Sequence, residues 1–260
     1  MRGLLEPLYY FLCLRLGRVM RAGRYSEVRS DRGNDVPRVW KRRRFYAPLL
    51  VWASGPAFFL LGTGIRVLPQ REWEDRERRM YEAFGRGAVR RERGALVMPA
   101  LPGVTLARLL ADPAVSAADR RTAIELSVRA LADLHGAGFT HGDAMAENVL
   151  VDLGGGTAHW IDFETRHVSS RRPARSQADD LRALLATALV PVGNDAVGPT
   201  LSLIVDAYPA DEVRRLLAQH FARILHRPLA FHLGQAPLPL ARYRAIARLL
   251  TDRFVRASVR

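Results

Sequence analysis

Three oxygen-bearing side chains in the middle of the chain stand at spacings that suit one kind of chemistry. The segment GFTHGDAMAENVLVDLGGGTAHWIDFE holds His141-Gly142-Asp143, then Asn148 five residues after that Asp, then Asp162-Phe163 fourteen residues further on. Phosphoryl transfer to a hydroxyl needs a carboxylate that orients the hydroxyl and takes its proton. It also needs two oxygen ligands that hold magnesium on the phosphates. Asp143 suits the first role; Asn148 and Asp162 suit the second. A loop would present Asp143, a hairpin turning at Gly154-Gly155-Gly156 would return the chain, and Asp162 would then face Asp143. Those glycines are a turn and not a phosphate cradle, since no G-x-x-x-x-G-K-[ST] is present.

A second candidate stands out by its type. Of 40 basic residues, 39 are Arg and only Lys41 is Lys. A compact ammonium can do what a planar guanidinium cannot, so the single Lys in an Arg-rich chain is a candidate for gripping phosphates. The competing reading makes VWKRRR a solvated basic run.

The elements that must position these groups can be read around them. GRYSEVR and VPRVWK read as two strands flanking the turn cluster Ser30 to Asp35, which puts Lys41 at a strand end. Residues 71–84 space Trp73, Met80, Tyr81 and Phe84 on one helical face. ALVMPALPG (95–103) reads as a strand entering a tight connection. Ser116 to His135 reads as a helix opened by a Ser cap. Residues 148–163 read as two short strands, and from Gln177 onward the pattern is helical. The expected fold is α+β: a small sheet-rich part at 1–98 with an apolar insert at 45–66, then a larger helical part at 99–260.

These motifs together resemble the protein-kinase-like superfamily. The resemblance runs from about residue 17 to residue 190 and implies a bilobal fold with ATP and Mg2+ as cofactors. It implies that Asp143 and Lys41 are catalytic and that Asn148 and Asp162 are metal ligands. Glu77 would pair with Lys41, with Glu74 as the alternative. Gly23 and Ser26 would belong to a glycine-poor phosphate-covering loop. Met98 and Leu101 would meet the adenine in the hinge, and Asp179 or Asp180 would brace the catalytic loop from a helix. Within the superfamily, Gly142 stands where protein kinases carry Arg, Met145 where they carry Lys, and Glu164 where they carry the last Gly of D-F-G. Glu164 reads either as a further magnesium ligand or as a structural acceptor. Only 16 residues separate Asp162 from Asp179, which leaves no room for a peptide-docking platform. The pattern is most similar to bacterial lipopolysaccharide-core (Kdo or heptose) kinases, and more distantly to RIO kinases and aminoglycoside phosphotransferases. It implies phosphoryl transfer to a hydroxyl of a small-molecule, sugar or lipid-linked acceptor. The alternatives are an atypical serine/threonine protein kinase and a non-catalytic nucleotide-binding regulator.

Composition bounds the partners. At 48% apolar and 25% charged residues the chain is an ordinary folded protein, which excludes wholesale disorder. The single cysteine, Cys13, excludes an intrachain disulfide framework. Residues 1–44 carry 12 basic and 4 acidic groups, so +8 of the net charge of +14 lies in one sixth of the chain. With the apolar run Leu8–Leu14 and the charge-free stretch Tyr46–Ile65, this charge favours peripheral contact with an anionic membrane from the cytoplasmic side. Burial of Tyr46–Ile65 in the core is the competing account. The C-terminal LARYRAIARLLTDRFVRASVR, with Tyr243, Ile246, Leu249, Leu250 and Phe254 broadly on one side, reads as a packed helix with a solvated basic face rather than a membrane-surface helix. No nucleic-acid module accompanies the charge, so nucleic acid is not an expected partner. The oligomeric state is left open.

Overall fold

Alternation fixes the first sheet. In the strand Arg38–Arg43 (β2), Lys41 and Arg43 are buried while Arg42 is exposed, as a period of two requires. The computed structural model describes residues 26–31, 37–49, 51–52, 64–168, 172–222 and 238–254. Gly23, the Leu8–Leu14 run and most of the Tyr46–Ile65 stretch lie outside the described residues. The strand Ser26–Asp31 (β1) pairs antiparallel with β2, placing Val28 opposite Lys41. The far side of β2 pairs with the central strand Ala95–Pro99 (β5), buried along most of its length, and β5 pairs with the strand Arg90–Glu92 (β4). The sheet order is β1-β2-β5-β4.

A helix, Gln70–Ala83 (α1), lies beside this sheet. Its buried positions Trp73, Glu77, Met80 and Tyr81 recur at helical spacing, so one stripe faces inward. Leu68, Trp73, Tyr81, Leu96 and Met98 form a small core between helix and sheet. Before α1 comes a three-residue strand, Ile65–Val67 (β3). It pairs with none of the sheet strands but with the strand Thr165–His167 (β9), about a hundred residues later.

The second part is helical around a much larger core. The short strand Val104–Thr105 (β6) leads into Leu106–Ala111 (α2), capped by the Thr105 hydroxyl accepting from the Arg108 amide. The long helix Ala117–Gly136 (α3) is opened by Ser116, whose hydroxyl accepts from the Asp119 amide at 3.0 Å. Val149–Asp152 (β7) and Thr157–Trp160 (β8) form the hairpin expected around the three glycines, and β6 completes a small sheet. The helices Pro173–Ala188 (α4), Val197–Ala207 (α5), Asp211–Ala222 (α6) and Leu240–Phe254 (α7) complete the described chain.

This is a mixed α+β architecture with its small sheets towards the N-terminal end, consistent with a protein-kinase-like fold. Helix α4 begins at Pro173, earlier than the expected Gln177, because proline suits the first helical turn and its fixed φ presets the helix. Helix α7 packs inward: Tyr243, Ile246 and Leu250 are buried, and Tyr243 stacks on Phe221 with ring centroids 4.9 Å apart. Leu249, read as part of the same face, is instead 43% exposed, since it falls one helical step off the buried stripe.

Candidate active site

The loop between α3 and β7 carries Asp143, and the groups that shape it are buried. The Asp180 carboxylate, on α4, accepts the backbone amides of His141 at 2.7 Å and Gly142 at 2.8 Å. The oxygen that accepts the His141 amide, Oδ2, also meets His135 Nε2 at 3.1 Å, from α3. Of the two adjacent aspartates, Asp180 therefore braces the loop. Asp179 turns the other way, to Arg182 and His167. Burial opposes the charge on Asp180, but His167 and His135 outweigh it and hold its pKa down to about 2.

His141 packs its ring on Phe163 and Trp160, with centroids 4.7 and 5.3 Å away. Its Nε2 meets the Ile161 carbonyl at 2.9 Å, and its Nδ1 accepts the Asp143 amide at 3.2 Å. Burial lowers its pKa to about 4, so the ring is neutral, which an acceptor Nδ1 requires. Gly142 is in the left-handed region at φ +86°, and a Cβ there would come within 2.9 Å of the Arg166 backbone. Both facts exclude the Arg that protein kinases carry at this position.

A single turn of 3-10 helix, Ala146–Asn148, brings Asn148 back to the loop. Its Nδ2 donates to the Asp143 carbonyl at 2.8 Å and to the Asp143 carboxylate at 3.1 Å, which leaves the amide oxygen available. Burial first, then the charge of Asp162, raises the Asp143 pKa well above the usual carboxylate range. Asp162 follows β8 with φ +68°, one of two non-glycine residues in the left-handed region among the described residues.

From the sheet side, Lys41 reaches the same place. Its Nζ lies 2.6 Å from Glu77 Oε1, 2.5 Å from Asp162 Oδ1 and 3.6 Å from Glu164 Oε1. Burial disfavours the ammonium, but Asp162, Glu77 and Glu164 together raise its pKa. The same carboxylate oxygen of Glu77 also accepts the Trp73 indole N–H at 3.2 Å and the Phe163 amide at 3.3 Å. Glu74, the alternative partner, turns to Gln70 and Arg91 instead. Glu164 takes a hydrogen bond from Ser26 on β1; burial and Asp162 raise its pKa while Lys41 opposes.

A cavity of about 340 Å³ joins the two sides, lined among others by Lys41, Glu77, Met98, Leu101, Asn148 and Asp162. Asp143 is hydrogen-bonded to the Asn148 side chain, and Ser26 reaches the cluster through Glu164. A larger hollow of about 460 Å³ lies on the other face of the sheet, around Trp40 and Arg42, and includes none of these groups. Two links between residues near α1 and the loop side carry no sequence signal. Arg76 donates to the Thr140 carbonyl, and Arg86 donates to the Trp160 carbonyl at 2.6 Å. Both lie in a stretch so rich in charge that it reads as a solvated helix face, and no local pattern marks them.

Residues 80–202 match the lipopolysaccharide kinase (Kdo/WaaP) family. The match bears out the resemblance seen in the motifs. It is a kinase family, so the match supports a phosphotransferase. The matched stretch holds Asp143, Asn148 and Asp162 and covers just under half of the chain; Lys41 and Glu77 lie before it. No curated protein matches the chain.

Proposed function

We propose that this kinase transfers the γ-phosphoryl group of ATP, as its magnesium complex, to a hydroxyl of a sugar in a lipopolysaccharide-core or similar lipid-linked acceptor. The observation that carries the reading is the convergence of Lys41, Glu77, Asn148 and Asp162 on one cavity, with Asp143 hydrogen-bonded to Asn148. Lys41, held by Glu77, meets the nucleotide phosphates. Met98 and Leu101, where β5 leaves the sheet, flank the adenine, and this connection at about residue 98 separates the two lobes. Asp143 orients the acceptor hydroxyl and takes its proton. Its raised pKa makes it a stronger base than an ordinary carboxylate.

The donor set fits magnesium. Asp162 and the free amide oxygen of Asn148 are hard oxygen ligands, and three carboxylates crowd the one ammonium of Lys41. Bound there, the ion would neutralise charge on the transferring phosphoryl group. When it is held, Asp162 has a second cation to serve, and Glu77 and Glu164 keep Lys41 paired.

Contact with an anionic membrane is part of this reading. Phe45 is 95% exposed and Trp52 75%, and both follow the exposed Arg42 and Arg44. No described helix is long and apolar enough to cross a membrane.

Transfer of labelled γ-phosphate from ATP to purified lipopolysaccharide core tests the activity. Asp143→Ala is expected to lower turnover by about 10³-fold or more while nucleotide binding survives. Near-normal turnover in that variant, or label found on protein serine and threonine instead of glycolipid, would overturn the proposal.

A further inference from the structure

Beside the catalytic loop, β3 and β9 form a ribbon of three residue pairs in which Arg66 stands directly opposite Arg166. Ile65, Val67 and Thr165 are buried, whereas the side chains of Arg66 and Arg166 are 37% and 45% exposed. Like charges directly opposite each other weaken a strand pair, and a ribbon this short has little else to hold it. Among the described residues one carboxylate serves both: Glu72, in the first turn of α1, accepts from Arg66 and lies 3.7 Å from Arg166 Nη2. Two guanidiniums against one carboxylate leave a positive charge uncompensated.

Two further features point the same way. The N-cap residue of helix α1, Pro69, offers no side-chain cap to the first-turn amides, and the helix dipole adds positive potential beside Glu72. The half-buried Arg76 lies close enough to Arg166 for the two cations to interact, although desolvation is the main reason its pKa falls to about 10. Gly142 ties this cluster to the chemistry. The point 2.9 Å from Arg166 Cα where its Cβ would sit leaves no space between the β9 backbone and the catalytic loop, and Asp143 is the next residue.

We propose that Arg66 and Arg166 form a subsite for an oxyanion, a phosphate or carboxylate group carried by the acceptor. The proposal rests on the kinase reading above and adds the chemistry by which the acceptor is chosen. Two guanidinium forks on one face can each bind an oxyanion bidentately, and the bound anion removes the repulsion that the ribbon otherwise carries. A neutral acceptor would leave that repulsion in place, so the site discriminates in favour of anionic sugars.

The test uses the full chain with its nucleotide cleft filled by a non-hydrolysable ATP analogue and magnesium. Inorganic phosphate and, separately, acetate are titrated by calorimetry into wild type, Arg166→Gln and the control Arg78→Gln on the outer face of α1. Wild type and Arg78→Gln are expected to bind at least one anion saturably, and Arg166→Gln to bind it about tenfold more weakly. Saturation by phosphate alone assigns a phosphorylated acceptor; saturation by acetate as well admits a carboxylated one. In anion-free buffer Arg166→Gln should melt at the same temperature as wild type or higher, because a repulsion has been removed and Arg66 keeps Glu72. Equal anion affinity in wild type and Arg166→Gln, or no saturable binding by wild type, overturns the subsite. Failure of wild type to bind the ATP analogue would instead count against the kinase reading. The same anion titrations on nucleotide-free protein would still decide the subsite.

Discussion

Around Asp143 the supporting groups are backbone amides, a neutral imidazole and one deeply buried carboxylate; around Lys41 they are charged side chains in close contact. The Asp143 loop hangs from Asp180 through two amide hydrogen bonds and sits on the main core, where Phe163 and Trp160 are almost wholly buried. The lysine strand rests on the small cluster of Leu68, Trp73, Tyr81, Leu96 and Met98, and its alignment comes from Glu77, Asp162 and Glu164. In the first arrangement the hydrogen bonds to Asp180 and the ring packing of His141 are in place without a ligand. The second gathers three carboxylates around one cation, an imbalance that metal and nucleotide would change. Preorganisation therefore resides in the helical part, while the sheet part supplies charges whose partners can be exchanged.

The largest effect expected from breaking this contrast is at Asp180. Asp180→Ala leaves the amides of His141 and Gly142 and the His135 ring without their acceptor in a dry core. The expected loss of stability is about 3–5 kcal/mol, read from urea denaturation, and activity falls with it. A loss below about 1 kcal/mol would mean that the loop is held by something other than this carboxylate.

Lys41→Arg should show the opposite balance. A guanidinium keeps the charge but cannot fit a compact ammonium's place between Glu77, Asp162 and Glu164. Turnover is expected to fall on the order of 10²-fold, about 2.7 kcal/mol of transition-state stabilisation, with little change in melting temperature. If Lys41→Arg works like wild type, the phosphate grip lies elsewhere. A fall in stability as large as that of Asp180→Ala would erase the distinction between the two sides.

The sequence shows these two sides unequally. The loop side is local: Asp143, Asn148 and Asp162 lie within about twenty residues, so their spacing alone suggests how they meet. The helix caps at Ser116 and the glycine hairpin are equally local and are found where their signals stand. The long-range parts were harder to see. The pairing of β3 with β9 joins two three-residue strands about a hundred residues apart, too short for any alternation to declare them. Arg43 is buried against the Trp73 ring at 5.0 Å and the half-buried Arg76 lies over Phe163 at 5.8 Å, although runs of arginine read as solvated surface. Glu164 lies two residues from Asp162, but its contacts come from β1 and β2, so its sequence position alone left its role open.

The pH-dependent effect concerns the neutrality of His141 and sharpens the account of the loop side. Its folded pKa is lowered from 6.5 to about 4, chiefly by burial. As pH falls below 6.5 the unfolded chain takes up a proton that the folded ring refuses until about pH 4. The unfolded state then binds more protons, so stability falls with falling pH across that window and levels off below it. The full contribution is at most about 3 kcal/mol. His167, whose folded pKa is raised, works in the opposite sense: its stabilisation is complete below its ordinary value and is lost as pH rises. The total pH profile therefore mixes the two, and the informative quantity is the difference between wild type and His141→Asn. That substitution also loses ring packing on Phe163 and Trp160, but this part of the cost does not change with pH. Urea denaturation at half-unit steps from pH 7 to pH 4 should show the wild-type advantage shrinking steadily as the pH drops. A difference that stays flat over this range would mean that His141 is not held neutral, and that the loop amide of Asp143 finds its acceptor elsewhere.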